Sequence, residues 1–263
     1  MTRSIFVLAL VFALCVSLAL RAPEPRVQVD AALAERFEAL FEAKDHAGAV
    51  TLFAGRSDVA LPFVDSFLEG SLAKLEDGSD QPGSAAQKAM HERALFGARA
   101  ADEAFSSVLF LDYAASFSGW STEQRANFRA GQKAFGEHRA AMKAKDFETA
   151  LGHARQCRDL AGPLGDWWGM AMGLGGEGAA LLALGRHAEA TAPLARARLL
   201  NHSLRLGGAE YATLRALVDA TIGAGQTERA KAALEHAIAT ADKRGDEAGA
   251  KSLRDRVTEL AAK

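Results

Sequence analysis

Apolar residues after residue 30 fall at helical spacing, and the polar residues between them mark where helices should start and stop. Asp30 is a good N-cap, and Leu33, Phe37, Leu40 and Phe41 share one face of a helix expected over 31–44. A short apolar stretch at Val50–Phe53 ends at Gly55. A third pattern runs from Val59 to Leu75, with Pro62 near its start, where proline is tolerated. Asp77-Gly78-Ser79-Asp80-Gln81-Pro82-Gly83 is a loop by composition. Ser84 to Phe117 reads as one long helical stretch broken near Gly97. Ser121, with Gln124 three residues on, forms a capping box for the next helix. Beyond it the pattern predicts helices near 122–143, 147–161, 167–184, 187–200, 208–223, 227–242 and 246–261. Pro163 falls in a linker, and Pro193 should bend the helix that contains it.

The last part of the chain repeats itself. Ala144-Lys145-Asp146-Phe147-Glu148-Thr149-Ala150 is echoed by the stretch ending at Ala190 and again by Ala224-Gly225-Gln226-Thr227-Glu228-Arg229-Ala230. Ala150, Ala190 and Ala230 hold a constant 40-residue period, which points to a solenoid of stacked helix pairs. Ala43-Lys44-Asp45-His46-Ala47-Gly48-Ala49 resembles the same phrase, so a divergent repeat begins there. Three regions follow from this reading: a leader over 1–22, an irregular helical region over 23–125, and about three repeats with a C-terminal capping helix over 126–263.

Composition agrees with helix. The 263 residues include 57 alanines but only 3 isoleucines and 11 valines, and β-branched residues are the ones that favour strands. A formal net charge of -2 gives no basis for electrostatic capture of nucleic acid. The first twenty residues change the expected location. Arg3 precedes an apolar run from Ile5 to Leu20 interrupted in polarity only by Ser17, the composition of an export signal. Cleaved signal and uncleaved anchor both remain open, and either places the bulk of the chain outside the cytoplasm, in a periplasm or cell envelope. Cys15 and Cys157 are the two cysteines, and removal of the leader would leave no internal disulfide.

The repeated positions resemble the tetratricopeptide repeat. In the middle repeat Leu174, Gly178 and Leu181 match the first helix of that family, Gly185 the turn, His187 the aromatic after it, and Ala190, Leu194 and Ala197 the second helix. Ala141, Phe147, Ala150, Ala154 and Cys157 match in the first repeat, and Leu214, Gly225, Ala230, Leu234 and Ala237 in the third. The 40-residue period is longer than the family's usual 34, and His138 and Val218 stand where Gly178 stands. The resemblance implies an all-α, right-handed superhelix of antiparallel helix pairs that binds a protein or peptide on its concave face. Residues expected to face that groove are Phe135, Arg139, Met142 and Lys143 in the first repeat. Met172, Ala179 and Leu182 follow in the second, and Ala212, Arg215, Asp219 and Ile222 in the third. The basic bias of Arg139, Lys143 and Arg215 suits a segment of some acidic character. The expected role is an exported scaffold or adaptor; the alternative is a sensing or regulatory subunit of an enzyme on another chain.

Little in the sequence points to chemistry of its own. Gly173-Leu174-Gly175-Gly176-Glu177-Gly178 resembles a dinucleotide fingerprint, but it falls inside a predicted helix with no strand before it. Close helix packing is the better reading of those glycines. The seven histidines make no zinc-like spacing, and no nucleophile elbow or phosphate-binding loop is present. No catalytic residue, cofactor or metal is expected. At least one ring of Trp167-Trp168 is expected to pack between neighbouring repeats, and Cys157 to be buried.

Overall fold

In the computed structural model, residues 31–261 are described. The leader and its apolar run lie outside the described residues. Among the described residues the chain is all-helical: twelve α-helices, one 3-10 turn and no strand. None of these helices is long and apolar enough to cross a membrane. An N-terminal layer comprises α1 (Ala31–Glu42), α2 (His46–Ala54), α3 (Ala60–Glu76), α4 (Ala85–Phe105) and α5 (Leu109–Gly119). The array comprises α6 (Thr122–Ala144), α7 (Phe147–Ala161), α8 (Trp167–Ala183), α9 (His187–Ser203), α10 (Gly207–Gly223), α11 (Thr227–Arg244) and α12 (Glu247–Ala261).

The period of the array has a local cause, because one turn is used six times. Lys145, Gly165, Gly185, Arg205, Gly225 and Gly245 all have positive φ, and each lies twenty residues after the last. The next residue returns its N–H to a carbonyl five positions back, as in Asp146 to Ala141 (3.0 Å), Arg186 to Leu181 (2.9 Å) and Asp246 to Ala241 (2.9 Å). This is the Schellman ending of a helix. The same residue then serves as N-cap of the following helix. Asp146, Asp166 and Asp246 do so with their carboxylates, which accept from the N–H groups of Thr149, Gly169 and Gly249. With helices α8, α9 and α10 each 17 residues long, a three-residue turn closes a 20-residue unit, and two units give the 40-residue pair. Lys44 and Asp45 use the same device: a positive φ at Lys44, then an Asp45 carboxylate accepting from Gly48 N–H. The echo of Ala144-Lys145-Asp146 at Ala43-Lys44-Asp45 is therefore an echo of turn geometry.

Consecutive helices of the array pack side by side, and α8 also touches both α6 and α10. The alanines that set the period are fully buried: Ala150, Ala190 and Ala230 each have 0% exposure. The glycines of α8 are packing positions. A Cβ on Gly173 would lie 2.6 Å from the Arg158 backbone nitrogen, and one on Gly176 would lie 2.9 Å from His138 Nε2. A Cβ on Gly178 would meet Leu194 Cγ at 2.3 Å. Cys157 is 1% exposed, and burial pushes its thiol up to about 12. Helix α9 continues through Pro193 without interruption.

One expectation is corrected here. Helix α4 runs unbroken through Gly97, whose missing side chain admits Phe37 and Val64; a Cβ there would be 3.3 Å from each. The break comes at Ser106, which takes a positive φ, and the Asp102 carboxylate accepts from the N–H groups of Phe110 and Leu111 to restart the chain as α5. Trp167 and Trp168 pack against a cluster that joins the core of the N-terminal layer to Leu164, Leu204 and Leu206 of the array. Trp167 Nε1 donates to Asp112 at 2.6 Å, and Trp120 Nε1 donates to the Leu164 carbonyl at 2.9 Å. The phenylalanine-rich core of the N-terminal layer, centred on Phe37 and Phe63 with ring centroids 4.7 Å apart, thus continues through Leu164, Leu204 and Leu206 onto one edge of the array.

Candidate partner-binding face

The first helices of the three pairs, α6, α8 and α10, present residues in a shared 40-residue register. On α8 the partly buried positions Trp168, Met172, Gly175, Ala179 and Leu182 fall at spacings of four, three, four and three, one stripe along a helix, with Ala179 and Leu182 packed at its lower end against the core of Leu181 and Leu194. Its upper end, Trp168, is taken by the N-terminal layer. The remainder is an apolar strip whose centre has almost no side chain. Gly175 meets only Ala197 Cβ, at 4.0 Å, so packing does not require a glycine there.

Helix α6 flanks this strip with charge. Arg139 and Lys143 are exposed and one turn apart. Phe135, half-buried, stacks on His138 with ring centroids 5.6 Å apart. His138 is itself buried, its Nδ1 2.9 Å from the Ala150 carbonyl, and burial lowers its pKa. Met142 does not share the open face. It is 6% exposed and belongs to the core formed with Leu151, Leu181 and Leu194. Lys143 is the exposed residue at that level.

Helix α10 closes the other side. Ala212 is exposed, and Arg215 lies with its guanidinium 5.8 Å from the Tyr211 ring centre. Asp219 accepts from Arg256 of α12 at 2.6 Å. Arg256 thus reaches from α12 to the edge of this surface. Ile222 is half-buried against the terminal core of α10, α11 and α12. With Asp219 and Arg256 compensating one another and Arg215 near the Asp246 carboxylate, Arg139 and Lys143 are the positive charges left at the border of the strip.

Of the residues expected at the groove, Phe135, Arg139, Lys143, Met172, Leu182, Arg215 and Asp219 lie on these three helix faces with at least partial exposure. Arg256 and Gly175 were not foreseen as members. Gly175 could have been found by adding seven to Trp168 and forty to Phe135. The contact of Arg256 with α10 depends on how α12 is set against the array, for which periodicity gives no signal. No family model matches the chain, and no curated protein matches it. Among the described residues, no group of three or more His, Cys, Asp or Glu side chains is arranged to hold a metal ion.

Proposed function

We propose that the array is a right-handed, tetratricopeptide-like superhelix and that its inner face, built from α6, α8 and α10, binds a protein or peptide segment carrying acidic and apolar side chains. The observation that carries this reading is the apolar strip Met172–Gly175–Ala179–Leu182 bordered by unpaired Arg139 and Lys143. Direct contact of α8 with both α6 and α10 supports placing the first helices on the inner side. A near-absent side chain at Gly175 and a methyl at Ala179 allow the backbone of a bound segment to approach closely. Basic residues at the rim favour encounter with carboxylates and set register more than raw affinity. The export-type composition of residues 1–20 supports a setting in the cell envelope, where the protein would act as a scaffold or adaptor.

Selection from a displayed peptide library against the full chain tests the reading. Recovered peptides should be enriched in Asp and Glu beside apolar residues. The double variant Arg139→Glu, Lys143→Glu should weaken them at least tenfold, about 1.4 kcal/mol. Lys231→Glu with Lys251→Glu, exposed elsewhere on the array, should leave binding unchanged. Peptides without acidic enrichment, or equal losses in both double variants, would overturn the proposal.

A further inference from the structure

The inner face offers a bound chain apolar contact and positive charge, but almost nothing that can accept a hydrogen bond. Helix α8 contains no Ser, Thr, Asn or Gln, and α6 has none after Gln132. Thr213 and Thr221 of α10 are buried, and their hydroxyls donate to carbonyls of their own helix, those of Ala209 and Leu217. The carboxylates of the three helices at this level are engaged as well. Asp219 holds Arg256 at 2.6 Å, Glu137 of α6 faces Lys133 and His153, and Glu177 of α8 is buried against Arg155 and Arg158 of α7. An extended segment laid on such a strip would bury main-chain N–H groups that find no acceptor. A helix satisfies its own main-chain groups before it docks.

The upper end of the same stripe already meets an acidic helix. Phe128 and Gln132 of α6 stand forty residues before Trp168 and Met172. Phe128 is 5% exposed, its ring against Phe117 and Trp120 of the N-terminal layer. Gln132 donates to Glu69 of α3 at 2.6 Å. Arg129 donates to Glu69 (2.7 Å) and to both oxygens of Glu76 (2.7 and 2.9 Å). Carboxylates about two turns apart on α3 thus meet donors of α6. Further along α6, Arg139 and Lys143 are exposed and one turn apart, with Phe135 half-buried beside them. We propose that the open length of the face continues this contact: it takes an amphipathic helix of a partner protein, apolar at i, i+3, i+4 and i+7 against the strip, with carboxylates one turn apart on Arg139 and Lys143. Gly175 and Ala179, also one turn apart, let the two helix axes approach closely. This rests on the inner-face reading and adds the conformation and spacing of what is bound there.

Peptides selected from a linear displayed library against the full chain, then synthesised with carbon labels, test the conformation directly. They should carry the i, i+3, i+4, i+7 apolar spacing, and their carbon chemical shifts should move to helical values on binding. A proline placed at the centre should weaken them at least tenfold, and a helix-locking staple on the polar side should tighten them. Gly175→Leu puts bulk where a Cβ would meet only Ala197, so it should keep the fold and weaken the peptides at least tenfold. The Arg139→Glu, Lys143→Glu double variant serves if the leucine variant does not fold. Alternating apolar spacing, shifts that stay non-helical, or a tolerated proline, in peptides still weakened by the double charge reversal, would overturn the helical partner and leave the inner-face reading standing. A selection that recovers no peptide, or peptides indifferent to both the charge reversal and Gly175→Leu, would overturn the two together.

Discussion

A single residue type, glycine, separates packing from recognition in α8. Gly173 lies against the backbone of Arg158, where a Cβ would come within 2.6 Å of nitrogen and 2.8 Å of Cα; neither atom can yield as a side chain would. Gly175 lies in ordinary van der Waals space. Gly173→Ala should therefore lower the unfolding free energy by about 1–3 kcal/mol, an overpacking cost. Gly175→Ala should raise it by up to about 1 kcal/mol through helix propensity and a less flexible unfolded chain. Urea unfolding of the two variants checks the opposite signs; a loss of stability in both would remove the distinction. From sequence alone these glycines are equivalent letters in one fingerprint-like string. That they belong to packing was legible from the missing strand, but which of them is spare depends on how α7 and α9 approach, and no local pattern carries that.

At the scale of elements, the repeated turn explains both what the sequence disclosed and what it concealed. Gly185 and Gly225 announce their turns because glycine takes positive φ freely. Arg205 occupies the equivalent position, where an L side chain is strained by roughly 1–2 kcal/mol. Its guanidinium donates to the Phe105 carbonyl at 2.8 Å and lies 5.2 Å from the Phe105 ring centre, so this turn is adapted to hold the N-terminal layer. Leu206 stands where Asp146, Asp166 and Asp246 stand in their own turns, and it packs against the same core. Arg205→Ala keeps the strain and loses the contact, whereas Arg205→Gly loses the contact and relieves the strain. Denaturant midpoints should rank unaltered chain, then glycine variant, then alanine variant. Alanine at or above glycine would show that the positive φ carries no strain, and glycine above the unaltered chain would show that the Phe105 contact does not offset it. Helices α6 to α12 were readable within a few residues because turn and cap chemistry is local. The break placed at Gly97 was not, since a glycine that admits Phe37 and Val64 looks the same in sequence as one that ends a helix.

Across the molecule, two bodies of helix share a core along one edge of the array, and the remaining face of α6, α8 and α10 stays open. The 40-residue period assigns residues to that face, and Phe135, Arg139, Met172, Leu182, Arg215 and Asp219 are at least partly exposed on α6, α8 and α10. It misplaced Met142, which is buried with Leu151, Leu181 and Leu194 while the adjacent Lys143 is exposed. The packing of both tryptophans at the start of α8 against the N-terminal layer was equally out of reach, since that layer does not share the period. The central claim is that the face of the first helices, not the outer helices, meets a partner. Photo-crosslinking in living cells is its most direct test, with probe side chains at Arg139, Leu182 and Arg215, and controls at the exposed Arg196 of α9 and Lys231 of α11. The account predicts that the three inner-face probes trap the same partner and the two controls trap nothing in common with them; a partner caught by the controls and missed at positions 139, 182 and 215 would contradict it.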